Sequence, residues 1–120
     1  MPKTYEDLAN LDRVVHEPAR LAILTALCGC LSADFTFLRS VIGLTGGNLN
    51  THLTTLETAG LVLLKKRFEG KVPHTSISLT ANGRRAIDNH WAQLTALRRE
   101  ALSRQMRARI QSEPTESSNG

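Results

Sequence analysis

The sequence predicts a mainly α fold with a small β-hairpin, and three observations support this prediction. Apolar residues form five helix-like segments, whereas alternation of apolar and polar residues is confined to residues 61–79. Apolar residues make up 41% of the chain but aromatic residues only 4%, which indicates a core packed from Leu, Ala and Ile. A chain of 120 residues has the size of one domain.

Three helices are predicted before residue 44. Thr4 and Asp7 resemble a capping box, and an apolar stripe predicts the first helix over residues 5–15. Pro18 suits the first position of a second helix, which continues to Cys28 and is apolar nearly all round, like a buried central helix. The third helix is predicted from the apolar spacing of Phe35, Leu38, Val41 and Ile42.

The fourth predicted helix has an uncharged polar face. Thr45 can cap its first turn, and Leu49, Leu53 and Leu56 form one apolar stripe. Opposite the stripe, Asn side chains can pair with adenine, Thr can contact phosphate or a thymine methyl, and Gly lets the backbone approach. Taken alone, this pattern fits an ordinary amphipathic surface helix as well as it fits a DNA-contacting helix. The candidate DNA-contacting residues are Gly47, Asn48, Asn50, Thr51, Thr54 and Thr55.

The hairpin is predicted over residues 61–79, with its turn at Glu69-Gly70-Lys71. Four cations fall within the seven residues from Lys65 to Lys71, opposed only by Glu69. Directly after a polar-faced helix, this pattern favours a wing that grips phosphates over a charged strand edge that prevents aggregation. The predicted phosphate-contacting residues are Lys66, Arg67, Lys71 and His74.

The last predicted helix is too long for a small domain to bury. Thr80 can cap it, and the roughly 28 residues of 84–111 would span about 42 Å. Its apolar stripe continues throughout, and each large side chain left in water would forgo about 1.5–3 kcal/mol. We therefore expect a second copy of the chain to cover the stripe, whereas the arginine-rich opposite face is expected to be solvated. The predicted dimerisation residues are Leu8, Leu11, Trp91, Leu94, Leu97, Leu102 and Met106.

The charge is distributed unevenly along the chain. Residues 1–60 hold four Lys or Arg against six Asp or Glu, a net of −2, whereas residues 61–120 hold eleven against five, a net of +6. The basic half contains the hairpin and the last helix. This asymmetry favours a polyanionic partner, although a moderate net charge also serves solubility.

Four stretches of the chain resemble a known family when taken together: Glu17–Leu24, Leu44–Val62, Arg67–Pro73 and Leu79–Arg84. They are similar to the first core helix, recognition helix, wing and last-helix start of MarR/ArsR-type bacterial transcriptional regulators. The resemblance implies a winged helix-turn-helix with a long C-terminal dimerisation helix, and a dimeric factor that binds double-stranded DNA. A two-fold dimer would place two recognition helices one helical turn apart, so the operator is expected to be an inverted repeat.

One feature departs from this family pattern. Recognition helices often carry Lys or Arg, and this chain has neither between Thr45 and Gly60. DNA affinity would then come from the wing and from backbone amides. The alternative interpretation is a winged helix used for protein–protein contacts.

Other classes of function have little support in the sequence. Gly-x-Ser-x-Gly, His-Glu-x-x-His, Walker and Gly-x-Gly-x-x-Gly motifs are all absent, so neither an enzyme nor a cofactor is predicted. Cys28 and Cys30 are too close for an unstrained disulfide and are expected to be reduced. They are interpreted as small apolar residues at a helix end rather than as zinc or copper ligands, so no metal site is predicted, and the sequence does not identify an effector.

The remaining expectations concern location and domain limits. No segment approaches the roughly 20 apolar residues that span a bilayer, and residues 1–7 lack a signal-peptide core. A cytoplasmic protein is therefore expected. Residues 1–111 are predicted to form the domain, with the dimerisation helix over 84–111, and the small polar residues of 112–120 a disordered tail.

Overall fold

The computed structural model describes residues 4–112, which contain five helices and three short strands. This confirms the predicted fold class. Eight of the nine residues of the predicted tail, 113–120, lie outside the described residues, while Ser112 ends the last helix. The helices are α1 (Thr4–Ala9), α2 (Pro18–Cys28), α3 (Phe35–Ile42), α4 (Gly46–Thr58) and α5 (Ala81–Ser112). The strands are β1 (Ala33–Asp34), β2 (Val62–Glu69) and β3 (Val72–Leu79).

The residues divide into two compact units. One is Leu11–His90, and the other comprises the described parts of residues 1–10 and 91–120. In the first unit, α2 packs against α3, α4 and β3, as expected of a central helix. Its core consists mainly of aliphatic side chains that are fully buried. They include Ile23, Leu24, Leu27, Leu38, Leu49, Leu53, Leu56, Ile77 and Ile87.

Local capping interactions determine where three helices begin. The Glu17 carboxylate accepts hydrogen bonds from the Ala19 and Arg20 amides, with Pro18 in the first turn of α2. The Thr45 hydroxyl accepts from the Asn48 amide at the start of α4. At the start of α5, the Thr80 hydroxyl accepts from the Gly83 amide. The predicted caps of α4 and α5 are therefore both confirmed.

The first helix is shorter than predicted. The apolar stripe predicted a helix to residue 15, but α1 ends at Ala9. The Asp12 carboxylate accepts a hydrogen bond from the Val14 amide at 2.9 Å, a local interaction that competes with helix formation. Leu11 and Val15 are buried instead in the Leu11–His90 unit, and Leu11 is only 6% exposed. Leu11 therefore has little surface left for the dimer contact that the sequence predicted.

The sheet has one strand more than predicted. Its order is β1-β3-β2, with antiparallel pairing throughout. In β1, Ala33 pairs with Ile77 and Asp34 with Ser76. Two residues are too few to show alternation, so β1 has no recognisable sequence pattern.

The last helix follows β3 after Thr80 and is longer than predicted. It has 32 residues and a length of about 48 Å. Its first turn lies against the residue just before β2: a Cβ atom placed on Gly83 would come within 1.9 Å of the Leu61 carbonyl oxygen. Only glycine permits this approach, which joins α5 to the start of the hairpin.

Candidate nucleic-acid interface

The recognition helix predicted from the sequence is α4. Its leucine stripe is fully buried, and this orientation leaves the opposite face in solvent. The side-chain amides of Asn48 and Asn50 make no hydrogen bond within the described part of the chain. Their donors and acceptors are therefore available to a base edge. Of the predicted contact residues on α4, only Thr55 is half-buried. The exposed ones are Gly47, Asn48, Asn50, Thr51 and Thr54.

The threonines of this face are already hydrogen-bonded along the helix. Thr51 donates to the Gly47 carbonyl at 3.0 Å, Thr54 to Asn50 at 2.9 Å and Thr55 to Thr51 at 3.2 Å. Each hydroxyl proton is thus in use, and the lone pairs that stay open cannot bond to a phosphate. To donate to a phosphate, these threonines have to change rotamer. Their methyl groups can contact a thymine methyl without any change of rotamer.

An ionic cluster that sequence reasoning missed connects α4 to the start of α2. His52 Nδ1 on α4 lies 3.3 Å from an Arg20 guanidinium nitrogen and 3.4 Å from the Glu17 carboxylate. Arg20 also donates to the carbonyls of Val14 and Arg13, at 2.6 and 3.2 Å. The cluster therefore links the turn before α2, the α2 N-terminus and the recognition helix.

The electrostatics of this cluster favour a charged Glu17. Burial raises the pKa of its carboxyl, but hydrogen bonds from the Arg20 and Ala19 amides, together with His52 and the Arg20 charge, outweigh burial and lower the pKa. The only sequence signal was the Glu17-Pro18 pair, which indicates a helix start. That pattern contains no information about a contact with His52.

The wing is the β2–β3 hairpin beyond its contact with β1. Its two-residue turn, Gly70–Lys71, has a φ of +64° at Gly70, which suits a type II′ turn. Opposite residues in an antiparallel register share a face of the hairpin. We call the face with Val62, Leu64, Lys66 and Phe68 the inner face, and that with Leu63, Lys65, Arg67 and Glu69 the outer face.

The predicted cations of the wing differ in their ionic partners. Arg67 lies 3.5 Å from the Asp34 carboxylate and 3.3 Å from that of Glu69, and His74 lies 3.5 Å from Glu69. Lys66 and Lys71 are exposed and form no ion pair among the described residues. The two lysines are therefore the available cations, whereas Arg67 has to exchange carboxylates for a phosphate.

The predicted dimerisation residues outside the Leu11–His90 unit have solvent-accessible surface. Leu8, Trp91, Leu102 and Met106 are exposed, and Leu94 and Leu97 are half-buried. Part of the apolar stripe along α5 is therefore accessible to solvent in the described part of a single chain.

His16 and His90 form a pair in the Leu11–His90 unit, and neither is among the predicted DNA-contacting residues. His16 Nδ1 lies 3.0 Å from His90 Nε2, and His90 is 1% exposed. Burial, with a smaller contribution from His16, lowers the pKa of His90. His90 is therefore a packing residue of the Leu11–His90 unit.

The cysteines lie at the end of α2 as free thiols. Both are half-buried, and burial raises the pKa of Cys28. Within residues 4–112, no cluster of three or more His, Cys, Asp or Glu side chains could hold a metal ion. In the same range, no helix has the length and apolarity needed to cross a bilayer.

Comparison with known proteins bears directly on this arrangement of helix and wing. Residues 19–98 match the family described as winged helix DNA-binding domain. The chain belongs to this family. An uncharacterized protein of Methanocaldococcus jannaschii is 35% identical to this winged helix protein over 86 residues, which cover 71% of this chain and 92% of that protein.

Solved structures show the same fold. A transcriptional regulator homologue from Pyrococcus horikoshii OT3 aligns with a TM-score of 0.75 and 26% identity, over 82% of this chain and 96% of that one. A MarR-family regulator from Rhodococcus sp. RHA1 aligns with a TM-score of 0.60 and 19% identity, over 90% and 84%. The predicted likeness to MarR-type regulators is confirmed at the level of the fold, and by family this chain is a winged helix DNA-binding protein.

Proposed function

We propose that this winged helix protein regulates transcription as a homodimer that binds an inverted-repeat operator in double-stranded DNA. The observation that carries the proposal is a juxtaposition of two elements. The exposed face of α4 offers the side-chain amides of Asn48 and Asn50, and the wing that follows offers the cations Lys66 and Lys71, none of which has a partner among residues 4–112. Amides read base edges and cations contact phosphates, so together they suit one duplex.

Within the operator, the N-terminal half of α4 would face the base edges. Asn48, Asn50 and Thr51 lie in this half, where helix-turn-helix proteins make most base contacts. Thr54 and Thr55 lie further along and would meet a thymine methyl or, after rotation, a phosphate. Apart from its own helix and chain neighbours, no atom of the described residues lies within 4 Å of the position that a Cβ on Gly47 would occupy, which leaves space for a close backbone approach.

The dimer is supported by the length and exposure of α5. Trp91, Leu102 and Met106 are between 44% and 62% exposed along it, so burying what remains of each against a second copy would contribute about 1–1.5 kcal/mol. A two-fold axis would place the two α4 helices about 34 Å apart, one turn of DNA. The half-sites would then be inverted and one turn apart.

A second candidate function is a winged helix that binds protein instead of DNA. The observation in its favour is that α4 carries Glu57 as its only Asp, Glu, Lys or Arg. The two functions differ in their salt dependence, because a DNA complex releases counterions.

The test combines the oligomeric state with DNA titration. Sedimentation equilibrium should give twice the chain mass, and a random duplex should bind with an affinity that falls steeply between about 50 and 200 mM salt. Genomic fragments selected by the purified protein should share an inverted repeat. A monomer that binds no duplex at low salt would contradict the proposal, and a dimer that binds no duplex would favour the protein-binding function.

A further inference from the structure

His16 and His90 connect the turn before α2, residues 12–17, to α5. His16 Nδ1 lies 3.0 Å from His90 Nε2, and the two rings are tilted by 44°. His90 is 1% exposed, and its other ring nitrogen, Nδ1, is buried without a hydrogen-bond partner among residues 4–112. His16 is exposed, so water can solvate a charge on its ring. The histidine pair therefore joins one ring that accepts a proton readily to one that resists it.

This histidine pair can hold one added proton but not two. A hydrogen bond between two imidazoles needs one nitrogen that donates and one that accepts. When one ring is charged, the other still offers an acceptor, so the contact survives. When both rings are charged, His90 carries an N–H on each nitrogen, and neither Nδ1 nor Nε2 has an acceptor. Protonation of both rings therefore breaks the contact.

The titratable groups that act on the His90 ring lie in the same turn. Burial disfavours a positive charge on His90, His16 also disfavours it, and Asp12 favours it. Burial and His16 outweigh Asp12, so the pKa of His90 is lowered below its ordinary value of 6.5. On α5 itself, Arg85 and Asp88 carry opposite charges and line an open groove together with Asp12. His90 is therefore the ring that is charged last, in acidic solution.

The turn before α2 also holds the side chain that contacts the recognition helix. The Arg20 guanidinium donates to the Val14 carbonyl at 2.6 Å and lies 3.3 Å from His52 Nδ1 on α4. Within the turn, the His16 amide donates to the Asp12 carbonyl at 2.7 Å. Val14 lies inside this hydrogen-bonded turn, so a displacement of His16 also moves the carbonyl that holds Arg20. A continuous series of polar contacts thus runs from α5 to α4.

We propose that the histidine pair is a pH switch: when both rings are protonated the pair separates, the turn before α2 shifts, and α4 loses the Arg20 contact that positions it. The displacement of α4 is a property of this chain alone, whereas its effect on DNA affinity rests on the proposed function. The sign of that effect is distinctive. Protonation of a histidine beside phosphate, such as His74 of the wing, raises DNA affinity in acid. Opening of the switch lowers it, because fewer molecules are competent to bind.

Nuclear magnetic resonance of the full chain tests the switch without DNA. The imidazole nitrogens of His90 should titrate with a lower midpoint than those of His16. The backbone amides of Asn50 and His52 on α4 should shift with the His90 midpoint, while circular dichroism shows that the helices are retained. A His90 ring that stays neutral down to about pH 5 would overturn the inference. So would α4 amides that do not follow His90, or a loss of helix at the same midpoint.

DNA titration at constant salt measures the consequence for binding. About one pH unit below the His90 midpoint, roughly nine in ten molecules carry the second proton, so affinity should be about tenfold lower than at neutral pH. His16→Asn should abolish this loss, because its amide lies where His16 has Nδ1 and can turn its oxygen towards a charged His90. His74→Gln is the matched control, since it removes a titrating histidine of the wing and should keep the loss in acid.

The outcomes separate the inference from the proposed function. A wild type whose DNA affinity stays constant or rises on acidification overturns the switch and leaves the proposed function standing. The same loss in His16→Asn as in the wild type also overturns the switch. If no duplex binds at either pH but the α4 amides follow His90, the proposed function fails and the switch is supported.

Discussion

The two lysines and the arginine of the wing should contribute differently to the salt dependence of DNA binding. Lys71 has no ionic partner among the described residues, whereas the Arg67 guanidinium lies within 3.5 Å of Asp34 and 3.3 Å of Glu69. Each phosphate contact contributes about 0.9 to the slope of log affinity against log salt. We therefore expect Lys71→Gln to lower the slope by about 0.9 per wing, or about 1.8 in a homodimer.

The expected difference is large enough to measure. Between about 50 and 200 mM salt, a slope change of about 0.9 alters the affinity ratio about 3.5-fold per wing. Arg67→Gln should lower the slope by less, because its exposed ion pairs, each worth about 0–1 kcal/mol, compete with phosphate. Glu69→Gln should steepen the slope, because it removes one of the two carboxylates beside Arg67 and the carboxylate beside His74.

Fluorescence anisotropy of a labelled duplex, at five or so salt concentrations, would give these slopes. The order of the three variants by slope is more informative than any single slope. An unchanged slope for Lys71→Gln would refute the assignment of Lys71 to a phosphate. A larger loss for Arg67→Gln than for Lys71→Gln would show that the carboxylates release Arg67 on binding, contrary to the prediction.

Three further predictions test the site and the fold. Asn50→Ala should cost about 1–3 kcal/mol on the operator and relax selectivity at one base position, measured with single-substitution duplexes. Gly83→Ala should lower the free energy of unfolding by about 3 kcal/mol, because its Cβ would overlap the Leu61 carbonyl, whereas Gly47→Ala should be stabilising; thermal unfolding distinguishes them. The lowered pKa of His90 means that the unfolded chain binds more protons just below the ordinary value of 6.5, so stability should fall as pH decreases through that value. Denaturation at several pH values should show a smaller fall for His90→Gln; an equal fall would contradict the assignment.

Most of the helices could be predicted because their signals are local. The stripe of Leu49, Leu53 and Leu56 and the cap at Thr45 lie within 12 residues, and both are confirmed. The same holds for Pro18 at the start of α2 and for Thr80 at the start of α5. The outward face of α4 follows from the same periodicity, so the sequence identified the candidate base-contacting residues before any tertiary contact was considered.

Local signals did not predict the end of α1 or the presence of β1, because each depends on contacts or turns that periodicity does not record. The stripe through Leu11 and Val15 predicted a longer first helix, but the Asp12 turn ends it and both residues enter the core. The two-residue strand β1 forms only because Ile77 and Ser76 lie beside it, and two residues have no periodicity of their own.

The amino-acid sequence by itself determined which surfaces are polar, apolar or basic, because side-chain chemistry and helix or strand periodicity act over a few residues. The tertiary structure decided which charges are available. Arg67 meets Asp34, 33 residues earlier, and His52 meets Glu17, 35 residues earlier. Such ion pairs depend on chain segments that only the folded core brings together. For that reason, the sequence could name Lys66, Arg67 and Lys71 as phosphate contacts, but only the folded molecule distinguishes the two lysines from the ion-paired Arg67.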